Sequence, residues 1–352
     1  MQAVVLVGGQ GTRLRPLTES RPKPMMSLVD RPFVAHQIDH LVRAGVRDVI
    51  FSCGYRPDAL ESHFGDGGAF GVTLNYVVDP EPLGTAGAVK NAEPLIHADR
   101  FLVLNGDILT DLDLHAMLAQ HQATGAVGTI ALTPVEDPSA FGLVRLHGDR
   151  SVEEFVEKPS ADELRPGEPY RINAGTYLME RGALEFIPAG QKVSIERETF
   201  PAIAATGGLY GYPSDSYWRD IGTPASYLDA NVDVLAGAVT TEAPTPGPYL
   251  AAGVSVGSAT IGSDACIGAD TQIANGASVQ RSVVGARVRI GGGAQVRGAL
   301  LGDDVVVEPG AAVLEGVVIG DGAVIGAGCE VRDASIPTGA VVHPDGRVLA
   351  AS

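Results

Sequence analysis

Hydrophobic and polar positions follow two different periods along the chain, with a proline-rich break between them. From Met1 to about Leu235, short β-branched runs alternate with stretches of helical period, the pattern of an α/β fold with a mostly parallel, Rossmann-like sheet covered on both faces. Ala3-Val4-Val5-Leu6-Val7 is apolar throughout and short, as a strand buried on both sides would be. Val34, Ile38, Leu41 and Val42 share one helical stripe that stops at Gly45, and Asp48 to Ser52 reads as the next strand. Val72 to Val78 gives a third strand, Arg100 to Asn105 an apolar run that leads into Gly106-Asp107, and Phe141 to Val144 a further strand.

Thr240 to Pro248, Thr-Thr-Glu-Ala-Pro-Thr-Pro-Gly-Pro, cannot be helical and marks a boundary. Beyond it an aliphatic followed by a mostly small residue recurs about every six positions. Ile261, Ile267, Ile273, Val279, Val284, Ile290, Val296, Leu301, Val307, Val313, Ile319, Ile325 and Val331 keep this beat with occasional five-residue steps. That is the mark of hexapeptide repeats, expected to wind into a left-handed parallel β-helix in which no coil buries its face alone and stacking creates the core. The expected division is an α/β domain over 1–238, a linker over 239–252 and the β-helix over 253–352.

At 352 residues the chain can build two cores, and its net charge of −17 repels phosphodiester backbones, so nucleic acid is not an expected partner. No apolar run approaches membrane-spanning length, and Met1-Gln2 lacks the basic flank of a signal peptide. Cys53, Cys266 and Cys329 have neither metal-ligand spacing nor an even disulfide set, which fits reduced thiols in a cytoplasmic protein. Histidines are scattered without a triad and Gly-x-Ser-x-Gly is absent, so nucleophilic catalysis by the protein is not indicated. Hexapeptide helices also occur in acyltransferases with a histidine base, but the only histidine after residue 147 is His343, beyond the repeats. Assembly into a homo-oligomer is the expected role of the second domain.

The densest candidate chemistry follows the first strand. Gly8-Gly9-Gln10-Gly11-Thr12-Arg13 exposes backbone N–H groups on which a nucleotide could lie, with Arg13, Arg15, Arg21 and Lys23 close by to meet phosphate. A dinucleotide fingerprint would need a third glycine opening a helix, and a Walker loop would need Gly-Lys-Ser or Gly-Lys-Thr; neither is present. Asp107 after an apolar strand, and Asp220 within Trp218-Arg219-Asp220-Ile221-Gly222-Thr223-Pro224, are hard oxygen donors of the kind Mg²⁺ takes together with phosphate oxygens. Thr223-Pro224 is placed to open a helix, and Ser194 reads as the cap of another.

Gly-Gly-x-Gly-Thr-Arg-Leu-x-Pro-Leu-Thr followed by Pro22-Lys23-Pro24 resembles the signature loop of sugar-1-phosphate nucleotidyltransferases, the nucleotide-sugar pyrophosphorylases. Leu83-Gly84-Thr85-Ala86-Gly87 is most similar to the mannose-1-phosphate guanylyltransferase branch. The resemblance implies that Leu6, Gly8, Gly9, Gly11, Thr12, Asp79, Pro82, Gly84 and Thr85 meet the nucleotide. Asp79 would accept from guanine N1–H and the exocyclic amine where thymidylyl-transferring relatives carry glutamine, with Glu81 as the substitute. It further implies sugar-phosphate contacts from Gly142, from Glu157 and Lys158 of a Glu-Lys-Pro motif, and from Asn173 and Gly175 of Asn-Ala-Gly after a strand.

The implied reaction converts GTP and mannose-1-phosphate to GDP-mannose and pyrophosphate, with Mg²⁺ on Asp107 and Asp220 as cofactor. Arg13 would stabilise the departing pyrophosphate, Lys23 the α-phosphate and Lys158 the incoming phosphate. Glucose-1-phosphate with dTTP or UTP is the alternative within this chemistry, and a non-catalytic homologue that senses nucleotide-sugar the alternative outside it.

Overall fold

The computed structural model describes residues 1–349 apart from 55–56, 166–168 and 245; the end of the expected β-helix span and one linker position therefore lie outside the described residues. Packing divides the chain into two compact units, each assembled from separate segments: residues 1–9 with 37–218, and residues 10–36 with 219–352.

The first unit is built on a nine-stranded sheet. Its strands are β1 (Gln2–Leu6), β2 (Asp48–Cys53), β3 (Thr73–Val78), β4 (Arg100–Asn105), β5 (Gly128–Pro134), β6 (Gly142–Leu146), β7 (Val152–Glu157), β8 (Arg171–Glu180) and β9 (Leu209–Pro213). Their order is β7-β6-β8-β4-β1-β2-β3, with β5 joined to β8 and β9. The sheet is parallel across β4, β1, β2 and β3, whose side chains are buried on both faces near the centre, but β8 runs antiparallel to β4, β5 and β6. Part of the sheet is thus the parallel arrangement the alternating pattern predicts, and the rest is mixed, antiparallel around β8 and β6 with β9 parallel to β5. Val4, Ile50, Val103, Ile130, Tyr177 and Phe200 lie in one buried cluster of this unit. Helix α1 (Phe33–Arg43) carries the predicted stripe, with Val34, Ile38 and Leu41 fully buried, and Gly45 follows it at φ +77°.

In the second unit, three parallel sheets stack as coils. Ile267 pairs with Val284, Val284 with Leu301, Leu301 with Ile319 and Ile319 with Ile336, each aliphatic lying over the last. All thirteen aliphatics read from the sequence belong to one continuous core, Ile261 at its partly buried end. The first rung is Tyr249–Leu250, paired in parallel with Cys266–Ile267, so the β-helix begins inside the stretch expected to be linker, directly after Pro248 releases the backbone. At the other end Val348–Leu349 turns back antiparallel on Val341–Val342.

Helix α2 (Pro224–Leu235) and the segment 10–36 complete this unit. Leu14, Leu17 and Met26 are buried with Tyr227 and Leu228 of α2 and with Leu300 and Val318 of the β-helix. This burial is why the chain from Gln10 to His36 groups with the repeats while Gly8 and Gly9 stay with the preceding strand, a division that the sequence boundaries did not anticipate. Val29 N–H donates to Asn231 Oδ1 (2.9 Å), and Tyr227 donates to the Ser27 carbonyl.

Candidate active site

In the first unit the carboxyl ends of β3, β2, β1 and β4 form one edge, where open parallel sheets bind ligands. Gly8 follows β1 and Gly54 follows β2; a Cβ on Gly8 would lie 3.0 Å from Gly54 N, so glycine is needed where the two chains meet. A Cβ on Gly9, by contrast, would meet nothing within 4 Å. Leu6 is half-buried, and its carbonyl accepts from Gly106 N–H (2.9 Å), which sets Asp107 just past the β4 end. Asp79 follows β3: its N–H donates to the Cys53 carbonyl (2.9 Å) and its Oδ1 accepts from Asn91 Nδ2 (3.0 Å). Partial burial raises the Asp79 carboxyl above the ordinary aspartate value, against the opposing pull of the Asn91 hydrogen bond.

Gly84, at φ +72°, opens the following helix, and a Cβ there would strike the Val193 carbonyl at 2.6 Å. Pro82 is exposed beside it. The Thr85 hydroxyl donates to Glu196 Oε2 (3.0 Å) and accepts from Ile195 N–H (2.8 Å), so it holds the 194–196 turn and leaves ligand contact at this position to the backbone. Ser194 caps that turn as its position suggests, accepting from Arg197 N–H.

The expected sugar-phosphate residues lie on the neighbouring strands β6, β7 and β8. Glu157 pairs directly with Gly142, and a Cβ on Gly142 would meet Glu157 Oε2 at 3.0 Å and the Phe155 ring at 2.7 Å, so the glycine leaves room for both. Lys158 is exposed with φ +54°, its N–H bound to the Phe141 carbonyl (2.8 Å). Asn173-Ala174-Gly175 lies within β8, at a register shift, rather than after a strand. Asn173 donates to Tyr177 Oη (2.9 Å) and accepts from Gly175 N–H (2.9 Å); its amide shapes the bulge. Trp218 had no assigned role in the sequence. It stacks edge-on with Phe141 (5.5 Å) and donates from Nε1 to the Ala174 carbonyl (2.9 Å), tying the Gly142 and Asn173 segments together. Being the single tryptophan, within the Asp220 motif, was its only signal.

In the second unit Lys23 Nζ lies 3.9 Å from Asp220 Oδ1, and Lys23 is buried to 6% exposure. Gly11, at φ +63°, sits against them: a Cβ there would be 3.0 Å from Lys23 Cβ and from Thr18 Cγ2, and the Thr18 hydroxyl binds the Gly11 carbonyl (2.8 Å). A Cβ on Gly222 would lie 2.5 Å from Arg13 Nη2 and 2.8 Å from Asp220 Oδ1, which brings Arg13 into the same cluster, a role for Gly222 that the sequence did not single out. Thr12 is exposed at the start of a short helical turn that ends at Leu14. Thr223 caps α2 with Pro224 in its first turn, holding the end of the Asp220 segment.

Of the four cations around the loop, Arg21 is engaged with the β-helix. Its guanidinium pairs with Asp303 Oδ2 (2.9 Å) of the β-helix, and Asp321 Oδ2 lies 3.8 Å away. Asp107, just past β4 in the first unit, and Asp220 in the second each offer hard carboxylate oxygens of the kind Mg²⁺ takes together with phosphate oxygens.

The nucleotidyl transferase family profile matches residues 2–237, and profiles for a GlmU-like C-terminal hexapeptide and for the bacterial transferase hexapeptide match 236–314 and 298–333. The chain is 43% identical over 242 residues, 67% of its length, to mannose-1-phosphate guanylyltransferase of Mycobacterium tuberculosis, and spans 65% of that relative. A Bacillus anthracis protein assigned as a glucose-1-phosphate thymidylyltransferase, crystallised with sucrose, shares the fold at TM-score 0.60 and 25% identity, over 68% of this chain and 96% of that one. HddC from Yersinia pseudotuberculosis complexed with GMP-PN matches at TM-score 0.56 and 29% identity, over 65% of this chain and 97% of its own. With a strand edge that gathers Gly8, Asp79 and Asp107, and a loop that gathers Arg13, Lys23 and Asp220, the chain belongs to the nucleotidyl transferase family.

Proposed function

We propose that the chain is a mannose-1-phosphate guanylyltransferase, making GDP-mannose and pyrophosphate from GTP and mannose-1-phosphate. The observation that carries the reading is the 43% identity to the Mycobacterium tuberculosis enzyme of that name. Arg13, Lys23, Asp107 and Asp220 are all present, which speaks against a homologue that only senses nucleotide-sugar.

The sugar phosphate is already an anionic nucleophile at neutral pH. One of its oxygens attacks the α-phosphorus of GTP as the bond to the β-phosphate oxygen breaks, and pyrophosphate leaves. The protein's task is therefore positioning and relief of charge repulsion. Lys23 neutralises charge on the α-phosphate and Arg13 on the departing pyrophosphate, while Lys158 holds the incoming phosphate. Gly142, Glu157, Asn173 and Gly175 shape the sugar's place. Asp79 accepts from the guanine edge. Mg²⁺, held by Asp107 and Asp220, would supply Lewis-acid neutralisation of the triphosphate.

The likeness to the Bacillus anthracis protein favours a second reading, thymidylyl transfer to glucose-1-phosphate. Pyrophosphate release measured across a matrix of triphosphates and hexose-1-phosphates separates the two. GTP with mannose-1-phosphate is expected to lead; a lead for dTTP or UTP with glucose-1-phosphate overturns the proposal, and no turnover in any combination favours the sensing homologue. The three buried, unbridged cysteines fit a reducing, cytoplasmic setting. We also propose a homo-oligomer assembled through the β-helix, to be read from sedimentation of the full chain. A monomer at micromolar concentration would rule it out.

A further inference from the structure

The guanidinium of Arg21 is held by carboxylates that are themselves fixed. Asp303 Oδ1 accepts from Ala286 N–H (3.0 Å) on the preceding coil, and Asp303 N–H donates to Asp321 Oδ1 (2.9 Å) on the next. The remaining oxygen of each faces Arg21, at 2.9 Å and 3.8 Å; Arg287 Nη2 also approaches Asp303 Oδ2, at 3.4 Å. Arg21 would have to leave a preorganised acidic receptor to reach a phosphate.

Two residues further on stands Lys23, between Pro22 and Pro24, in a tight turn closed by Met25 N–H to the Pro22 carbonyl (2.9 Å) and Met26 N–H to the Lys23 carbonyl (3.1 Å). The prolines stiffen this arm, so anchoring Arg21 sets the course of the Lys23 backbone. A second tether joins Thr338 Oγ1 to Glu19 Oε2 (2.9 Å). Apolar packing fixes one side of the loop, through Leu14 and Leu17 on Leu300 and Val318. On the other side a cavity of about 440 Å³ opens beside Arg21, Met26, Asp30 and Tyr227, so the ion pair spans a place where packing is incomplete.

We propose that Arg21 is a positioning residue, clamped by Asp303 and Asp321, through which the β-helix holds the Lys23 arm in its catalytic conformation. The β-helix is then part of the transfer machinery as well as a surface for assembly. This rests on the reading of Lys23 as a group that acts on the α-phosphate.

In the full chain, Asp303→Asn and Arg21→Gln are each expected to lower kcat roughly tenfold, with KM for GTP changed less than about threefold. The double variant should be no worse than the poorer single, and Arg21→Lys should recover most of the loss. Should Asp303→Asn keep the parental kcat while Arg21→Gln raises KM, Arg21 is a phosphate ligand and the proposal is overturned. Amide exchange tests it without any turnover: in Asp303→Asn the amides of Leu14, Leu17, Glu19, Met25 and Met26 should exchange about tenfold faster while those of Ala3 to Leu6 hold. Unchanged loop exchange overturns the clamp. A parental chain inactive with GTP counts against the proposed reaction alone. If Asp303→Asn also loses the sheet amides, Asp321→Asn takes its place; a smaller increase confined to the loop supports the clamp, and no increase overturns it.

Discussion

Lys23 Nζ stands 3.9 Å from Asp220 Oδ1, joining two motifs at opposite ends of the catalytic sequence. The lysine side chain is 8% exposed and the aspartate 27%, so the charges face each other where solvent screens them poorly. Gly11 and Gly222 make the approach possible, because a Cβ on either would enter the space of Lys23, Arg13 or Asp220. In the proposed reaction a cation so confined would meet the incoming phosphate with little reorganisation, which is the condition for electrostatic catalysis.

It follows that Lys23→Ala should remove transition-state stabilisation more than binding. The expected fall in kcat is about a hundred- to a thousandfold, with GTP affinity weakened less than about tenfold. Steady-state kinetics beside calorimetric titration of GTP checks this, and equal losses in both would contradict the assigned role.

Gly9 and Gly222 should separate in a different way. Alanine at Gly222 brings a methyl group 2.5 Å from Arg13 Nη2, the mobile end of a long side chain. The fold should survive, with Tm moving by no more than a few degrees, while displacement of Arg13 and of the Asp220 carboxylate, 2.8 Å from the same methyl group, costs at least about tenfold in kcat. Alanine at Gly9 meets no protein atom within 4 Å, so Tm should stay at the parental value. Only a ligand lying on the loop would feel that methyl group, and KM for the triphosphate should rise. A Gly9→Ala chain with unaltered KM would show that the nucleotide does not approach this backbone.

Much of this was legible in the sequence because single periods encode single environments. The thirteen aliphatics of the repeats are interior because each coil offers its neighbour the same face, and α1 ends at Gly45 because only glycine takes that φ cheaply. The pairing of Arg21 was not legible for the opposite reason. Arg21 shares its segment with Arg13, Arg15 and Lys23, but its partners, Asp303 and Asp321, come from a region whose acidic positions look like any solvated coil corner. Asn173 carries a family motif, and its amide also binds Tyr177 and Gly175 at a bulge that periodicity does not announce. The grouping of 10–36 with the repeats depends on Leu14, Leu17 and Met26 being buried far from their neighbours in sequence.

Asp79 gives a prediction in pH. Burial holds its carboxyl above the ordinary aspartate value, so on acidification it takes up a proton earlier than an exposed aspartate would. Guanine recognition needs the carboxylate as acceptor, hence GTP affinity should decline at a higher pH than the titration of ordinary aspartates allows. In Asp79→Asn, which cannot titrate, affinity should be lower throughout and flat across that range. Titrations of GTP binding in both forms decide it; the same acid limb in each would remove Asp79 from base recognition.

His40 makes a separate claim about stability. Burial, helped by the nearby Arg43 charge and opposed by Asp111, lowers its pKa to about 4 from 6.5. The folded chain keeps this imidazole neutral while the unfolded chain protonates it below its ordinary value, so stability is present above pH 6.5 and is lost as pH falls toward 4. The slope is at most one proton, about 1.4 kcal/mol per pH unit and roughly 3 kcal/mol over the whole interval. His121 is lowered by burial in the same direction, against the pull of Glu180, and adds to the acid loss. Urea unfolding at about pH 7 and about pH 5 should therefore show a smaller drop in His40→Leu than in the parental chain, by up to one proton's worth of slope. An identical drop in both would mean that His40 is protonated in the folded state after all.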